Sequence, residues 1–185
     1  IYYGFHHKGR FYHSTDTWAE RHLERDGSPD DELGRKLREH RGGHLVRKSA
    51  DAVYYLARQI GLLRARSEPV PSQWTDSLRR GADALTAIWE RHGQLGQFVQ
   101  GETLEIAIGG TTSGAMAPGG LALASGLLED QRYARTAEAI GEAYYASFAR
   151  DGFTNGGPGD MLQNPDSESA YALVASLVTL WETSG

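Results

Sequence analysis

From His44 onward apolar residues recur at helical spacings, and the helices they predict are of two alternating kinds. Leu45, Val46, Ala50, Val53, Tyr54, Leu56, Ala57, Ile60 and Leu63 occupy more than one face of a helix reaching about Arg66, which predicts a largely buried helix. Glu68-Pro-Val-Pro71 ends it, and Ser72 stands where it can cap a second helix. In that second helix Trp74, Leu78, Ala82, Leu85 and Ile88 recur every three or four residues opposite Asp76, Arg79, Arg80, Asp83 and Glu90, so one face is wet. Ala115 to Leu128 carries no charge, with Pro118 tolerated inside the first turn. Residues 131–150 again set Tyr133, Ala137, Ile140, Tyr144 and Phe148 against Arg132, Arg135, Glu138 and Glu142. A last helix, 166–182, has only Ser176 and Thr179 as polar residues between Ala170 and Trp181, which predicts burial on all sides.

Two segments depart from this period. Residues 97–109, with Gly101 near the middle and Ile106-Ala-Ile108 beyond it, predict a small β-hairpin. Residues 1–43 mix aromatic, histidine, charged and glycine positions without a sustained period and are expected to be irregular, with short helices at most. The fold class expected is therefore all-α with one small β-hairpin. Its order is buried, amphipathic, buried, amphipathic, buried: two helical hairpins over 44–92 and 114–151, and the inner helix 166–182 of an incomplete third. Such alternation suggests an inner and an outer layer. The connections into the inner helices, 93–114 and 152–165, are long, polar and glycine-rich, which places functional groups at one end of the layers.

Composition narrows the function classes. A net charge of −5 over 185 residues and the absence of any long basic run argue against nucleic-acid binding, which rests on Lys and Arg facing phosphates. With no cysteine there is no disulfide framework, thiolate zinc site or catalytic thiol. His40 and His44 have a zinc-compatible spacing, but Gly42 and Gly43 lie between them and no acidic partner completes a motif, so neither metal nor cofactor is expected. No apolar run has transmembrane length, and no membrane partner is expected. Phosphate and dinucleotide loops and the nucleophile elbow are missing.

Two stretches carry a resemblance. Gly109-Gly-Thr-Thr-Ser-Gly-Ala-Met-Ala-Pro-Gly-Gly-Leu-Ala-Leu-Ala124 and Gly156-Gly-Pro-Gly-Asp-Met-Leu-Gln-Asn-Pro-Asp-Ser-Glu-Ser169, with the helix alternation around them, resemble the six-hairpin glycosidase-like toroids from about His44 onward. The resemblance implies a helical toroid with a carbohydrate substrate in a central funnel, and an enzyme that is usually a glycoside hydrolase and sometimes a lyase or epimerase. Six hairpins would be normal, and two and a half are present.

Glycoside hydrolysis uses two carboxyl groups across the sugar, one protonated and one ionised. Asp160, Asp166 and Glu168, at and before the start of the last inner helix, are the candidates. Helix capping alone would account for Asp166, and the helix dipole for Glu168. The candidates for sugar binding are His6, His7 and Trp18 among the leading aromatics, His44 and Arg47 at the first inner helix, Glu102 on the hairpin, and Asn164. A uronate lyase or epimerase would draw on the His and Arg groups of residues 40–48, and a non-catalytic scaffold would use the carboxylates only as caps. The apolar last helix needs a cover, so the chain is expected to belong to a longer polypeptide or to associate through the surface around Leu173, Leu177, Leu180 and Trp181.

Overall fold

The computed structural model describes residues 43–101, 103–156 and 163–184. Among them are a strand β1 (Gly43–Leu45), helices α1 (Val46–Ala65) and α2 (Ser72–His92), strands β2 (Phe98–Gln100) and β3 (Ile106–Ile108), and helices α3 (Ala117–Leu128), α4 (Gln131–Ser147) and α5 (Ser167–Ser184). The all-α class holds, with one small sheet. That sheet has three strands rather than the two of the expected hairpin, in the antiparallel order β1-β2-β3. Gly43 pairs with Gln100 and Leu45 with Phe98, and a bulge interrupts the β2–β3 register at Phe98 and Val99. The start of the helix expected from His44 is thus strand: His44 pairs with Val99, and the Val46 amide donates to Gln97 O at 3.0 Å.

Helix α3 is the centre of the packing. It contacts α1, α4 and α5 extensively and α2 less so, while α2 packs on α1 and α4. The helices therefore form a row α1–α3–α5 backed by a row α2–α4, which is the two-layer order expected from the alternation. Small side chains make this possible. Ala117, Gly119, Gly120, Ala122 and Ala124 are buried, so neighbouring helices approach α3 on several sides. A Cβ on Gly119 would stand 3.0 Å from the Ser176 Cα of α5, and one on Gly120 3.0 Å from the Tyr54 backbone N of α1.

Several local expectations change. Ser72 is the first helical residue of α2 rather than its cap; that position falls to Pro71, whose carbonyl accepts from the Trp74 amide at 2.9 Å. Pro118 lies in the first turn of α3 as expected. Asp130 caps α4 by accepting from the Arg132 amide at 3.0 Å, and α4 stops at Ser147 with a 3-10 turn, Ala149–Asp151, beyond it.

The largest correction concerns α5. It is not buried on all sides: its buried positions are Ser169, Leu173, Ser176 and Thr179, whereas Tyr171, Val174, Val178 and Trp181 are exposed. The glycine face of α3 leaves room there for small side chains, and each buried hydroxyl finds a partner. Arg47 donates to Ser169 Oγ at 2.6 Å, the Gly119 amide donates to Ser176 Oγ at 2.7 Å, and Tyr54 Oη lies 3.0 Å from Thr179 Oγ1. Of the four residues expected to form a sticky surface, Leu173 is buried, Leu177 and Leu180 pack partly against the core, and Trp181 stands out in solvent. Helix α1 is also buried on one face only, with Tyr55 and Leu62 exposed.

Candidate functional site

The connections into α1, α3 and α5 meet at one end of the helical row. The segment before α3 is stitched to the segment before α5 by Asn155, whose backbone N donates to Thr112 Oγ1 at 2.9 Å while its Oδ1 accepts from the Thr112 amide at 3.1 Å. Asn155 Nδ2 also donates to Gly110 O, and Ser113 Oγ to Gly156 O. Thr154 Oγ1 donates to Asp166 O at 2.7 Å, which holds the loop against the helix start.

Arg47, in the first turn of α1, links that helix to the start of α5. Its guanidinium donates to Glu168 Oε2 at 2.7 Å, to Asp166 Oδ1 at 3.2 Å and to Ser169 Oγ at 2.6 Å. The Arg47 and Asp166 side chains are enclosed, whereas Glu168 is 74% exposed. Asp166 Oδ1 also accepts from the Ser169 amide at 2.6 Å, the geometry of an N-cap. Asp166 is therefore committed to the helix end and to Arg47, and Glu168 is the carboxylate of the pair that faces solvent. Close to them the backbone crowds in: a Cβ on Gly156 would overlap Ser169 Oγ and stand 3.1 Å from Arg47 Nη2.

A third carboxyl group, Asp51, lies one turn beyond Arg47 and is half-buried. Burial raises its pKa, Arg47 and Lys48 oppose that rise, and the negative charge of Glu168 adds to it. Asp51 was not among the residues picked out from the sequence. Its signal was available as a lone acid at i+4 from Arg47 on an otherwise basic helix. Asp51 and Glu168 each have an exposed tyrosine about one turn further on, Tyr55 on α1 and Tyr171 on α5.

His44 takes a different place from the one expected. It is buried, its Nε2 lies 3.0 Å from Ser49 Oγ, and burial lowers its pKa to about 4, so it is neutral at physiological pH. It borders a space of about 10 Å³, roughly one water molecule, closed by Leu85, Ile88 and Val99. Asn164 is half-buried in the loop before α5. Asp160, Glu102, His6, His7 and Trp18 lie outside the described residues. A groove of about 500 Å³ lined by Leu123, Leu127, Glu138 and Leu180 opens at the other end of α3, a helix of 12 residues, about 18 Å long. Among the described residues that line it, Glu138 is the one carboxylate.

Among the described residues no cluster of three His, Asp or Glu could hold a metal ion, and no helix is long and apolar enough to cross a membrane. What is gathered is an arginine, a carboxylate committed to a cap, an exposed carboxylate and a half-buried carboxyl whose pKa burial raises. Comparison with protein-family models, curated proteins and solved structures gives no match for this chain.

Proposed function

We propose that this chain is part of a carbohydrate-active enzyme, a glycoside hydrolase built as an (α/α) toroid whose funnel opens at the N-terminal ends of α1, α3 and α5. The observation that supports the reading is that Arg47 of α1 holds Glu168 of α5 at 2.7 Å, one helical turn from Asp51, which feels the charge of Glu168. Two carboxyl groups in unlike environments, coupled by charge, are what an acid and a base for glycoside cleavage require. Asp51 is the acid, because burial favours its protonated form. Glu168, exposed and hydrogen-bonded through one oxygen to Arg47, is the base or nucleophile. Asp166 fixes the helix start that positions Glu168, and Tyr55 and Tyr171 offer aromatic faces on which a pyranose ring stacks.

The uronate lyase or epimerase alternative gains little from this end of the molecule. Arg47 is occupied by two carboxylates and a hydroxyl, and His44 is enclosed and neutral.

The test is release of reducing sugar from a panel of oligosaccharides, together with sugar binding followed by NMR shifts of the tyrosine rings. Asp51→Asn and Glu168→Gln should each abolish release while leaving the unfolding midpoint nearly unchanged. If the parent chain neither binds nor cleaves any sugar of the panel, or if both variants keep full turnover, the carboxylates serve the helices alone and the non-catalytic scaffold is the correct reading.

A further inference from the structure

The exposed face of α5 is a continuous apolar stripe, Tyr171, Val174, Val178 and Trp181, at spacings of three, four and three residues. Tyr171 is 77% and Trp181 73% exposed, so this is an open face and not the rim of a covered one. Residues 163–184 contain no Lys or Arg; Glu168 and Glu182 flank the stripe, and the last turn of the helix, at the negative end of its dipole, carries no cation of its own. Helix α1 has the opposite character. Its open face sets Tyr55 and Leu62 among Lys48 and Arg58, and the helix carries four cations, Arg47, Lys48, Arg58 and Arg64, against the single acid Asp51.

We propose that the α5 stripe of one copy of this chain docks on the open face of α1 of a second copy, in a head-to-tail association. Charge selects this partner surface over the simpler alternative. A two-fold dimer through α5 alone would bring Glu182 near the acidic residues of the other copy's α5, a helix with no cation of its own, while Glu168 is already met by Arg47. Against α1 the acidic flanks meet Lys48 and Arg58, and Tyr171, Val174, Val178 and Trp181 meet Tyr55 and Leu62. Within one chain α1 and α5 already run parallel, with Arg47 beside Glu168 and Tyr54 beside Thr179. The same parallel setting between copies brings Glu182 toward the Arg58–Leu62 end of α1. The two surfaces differ, so the association is heterologous and can add further copies. A docked copy covers Tyr55, Tyr171 and the edge of Glu168, which the enzymatic reading gives to the sugar, so the two occupants compete for that end of the helices.

Two variants test it, each altered only at exposed positions. Val178→Asp with Trp181→Ala breaks the α5 surface and leaves α1 intact; Tyr55→Asp with Leu62→Asp does the reverse. Circular dichroism and thermal unfolding establish that both fold. In light scattering the parent's mass should rise with concentration beyond one chain, each variant alone should stay at one chain, and an equimolar mixture should reach the mass of two chains and stop there, because only one sound pair of surfaces remains. A parent that stays monomeric at all concentrations overturns the proposal. So does a Tyr55/Leu62 variant that still self-associates, which would mean pairing through α5 alone, and so does a mixture that does not pair.

Discussion

Tyr54 Oη and Thr179 Oγ1 lie 3.0 Å apart, joining α1 to α5 beside the glycines of α3. Thr179 Oγ1 donates to Ala175 O at 2.9 Å, so its proton is used and Tyr54 is the donor to it. Arg58 Nη1 in turn donates to Tyr54 Oη at 3.1 Å. The chain of donors runs in one direction, from an exposed cation through a buried phenol to a helix carbonyl. It exists because Gly119 and Gly120 remove the side chains that would hold α1 and α5 away from α3.

Filling that space should cost stability. A Cβ at Gly119 meets the Ser176 Cα, Ser176 O and a Tyr54 ring carbon, all at 3.0 Å, and two of these are backbone atoms that cannot turn away. Gly119→Val should destabilise by about 1–3 kcal/mol through overpacking. Gly126, in the same helix with nothing within 4 Å of its Cβ position, is the control. Gly126→Ala should stabilise by about 0.5–1 kcal/mol, as it removes backbone freedom from the unfolded chain. Denaturant midpoints of the two variants should move in opposite directions.

Making α5 more apolar should also weaken the fold. The Gly119 amide is one of the first-turn donors of α3 that have no carbonyl within their own helix, and Ser176 Oγ accepts from it at 2.7 Å. Ser176→Ala leaves that buried N–H without an acceptor, at a cost of about 1–3 kcal/mol. A hydropathy argument expects the reverse sign, so equilibrium unfolding of this one variant separates the two accounts.

Removal of Arg47 should be felt more than removal of either carboxylate. Asp166→Ala loses a helix cap, about 1 kcal/mol. Arg47→Ala leaves Asp166 enclosed without its cation and deprives Ser169 Oγ of its donor. That loss should reach about 3 kcal/mol, most of it from Asp166, because the contact with exposed Glu168 is weakened by solvent. Thermal unfolding of Arg47→Ala, Asp166→Ala and Glu168→Ala should rank in that order of damage.

Burial of His44 makes stability depend on pH. Its folded pKa of about 4 lies below the ordinary histidine value of 6.5, so between these values the unfolded chain binds the extra proton and stability falls as pH falls. The contribution is complete above pH 6.5 and is lost progressively toward pH 4, at most about 3 kcal/mol at 1.36 kcal/mol per unit. Asp51 acts in the opposite sense: its raised pKa favours folding when protonated, so it offsets part of the loss at the acid end. Unfolding midpoints at pH 7.5, 6 and 5 should fall in sequence for the parent, and His44→Gln should flatten the series.

Which parts of this were legible in the sequence follows from what each signal measures. Periodicity reports how many faces of a helix are apolar, and it placed α1 to α5 and their two-row order, because Leu78, Leu85 and Ile88 or Tyr133, Ala137 and Ile140 must share a face to be buried at all. It could not say which face of α5 meets α3. There the deciding residues are Gly119 and Gly120, fifty or more positions away, and they favour Ser176 over its bulkier neighbours. Strand β1 was hidden for a similar reason: His44 and Leu45 fit a helix equally well until Val99 and Phe98 supply the ladder. The loops into α3 and α5 announced their end of the molecule through glycine and polar residues, and Asp166 and Glu168 were found there. Asp51 escaped notice because its one local mark, a lone acid four residues after Arg47 on a basic helix, reads equally as an ordinary charge pair; burial and Glu168, 117 positions later in the chain, are what set it apart.

If Asp51 and Glu168 act as an acid and a base, their environments should be readable in the pH dependence of turnover. The acid must be protonated to give its proton to the leaving oxygen, and kcat/KM falls as it ionises. Burial holds the Asp51 pKa above the ordinary aspartate value, and the charge on Glu168 raises it further. The alkaline limb of the profile should therefore belong to Asp51 and sit above the ordinary aspartate value. Glu168→Gln removes one contribution to that rise, and an activated substrate whose leaving group needs no protonation should restore activity to Asp51→Asn more than to Glu168→Gln. Lys48→Met bears on the same group from the other side. Lys48 is exposed and lowers the Asp51 pKa, so its loss should carry the alkaline limb to higher pH while leaving the acid limb in place. A limb that stays fixed in Lys48→Met, measured with the same substrate and ionic strength, would assign it to a different group.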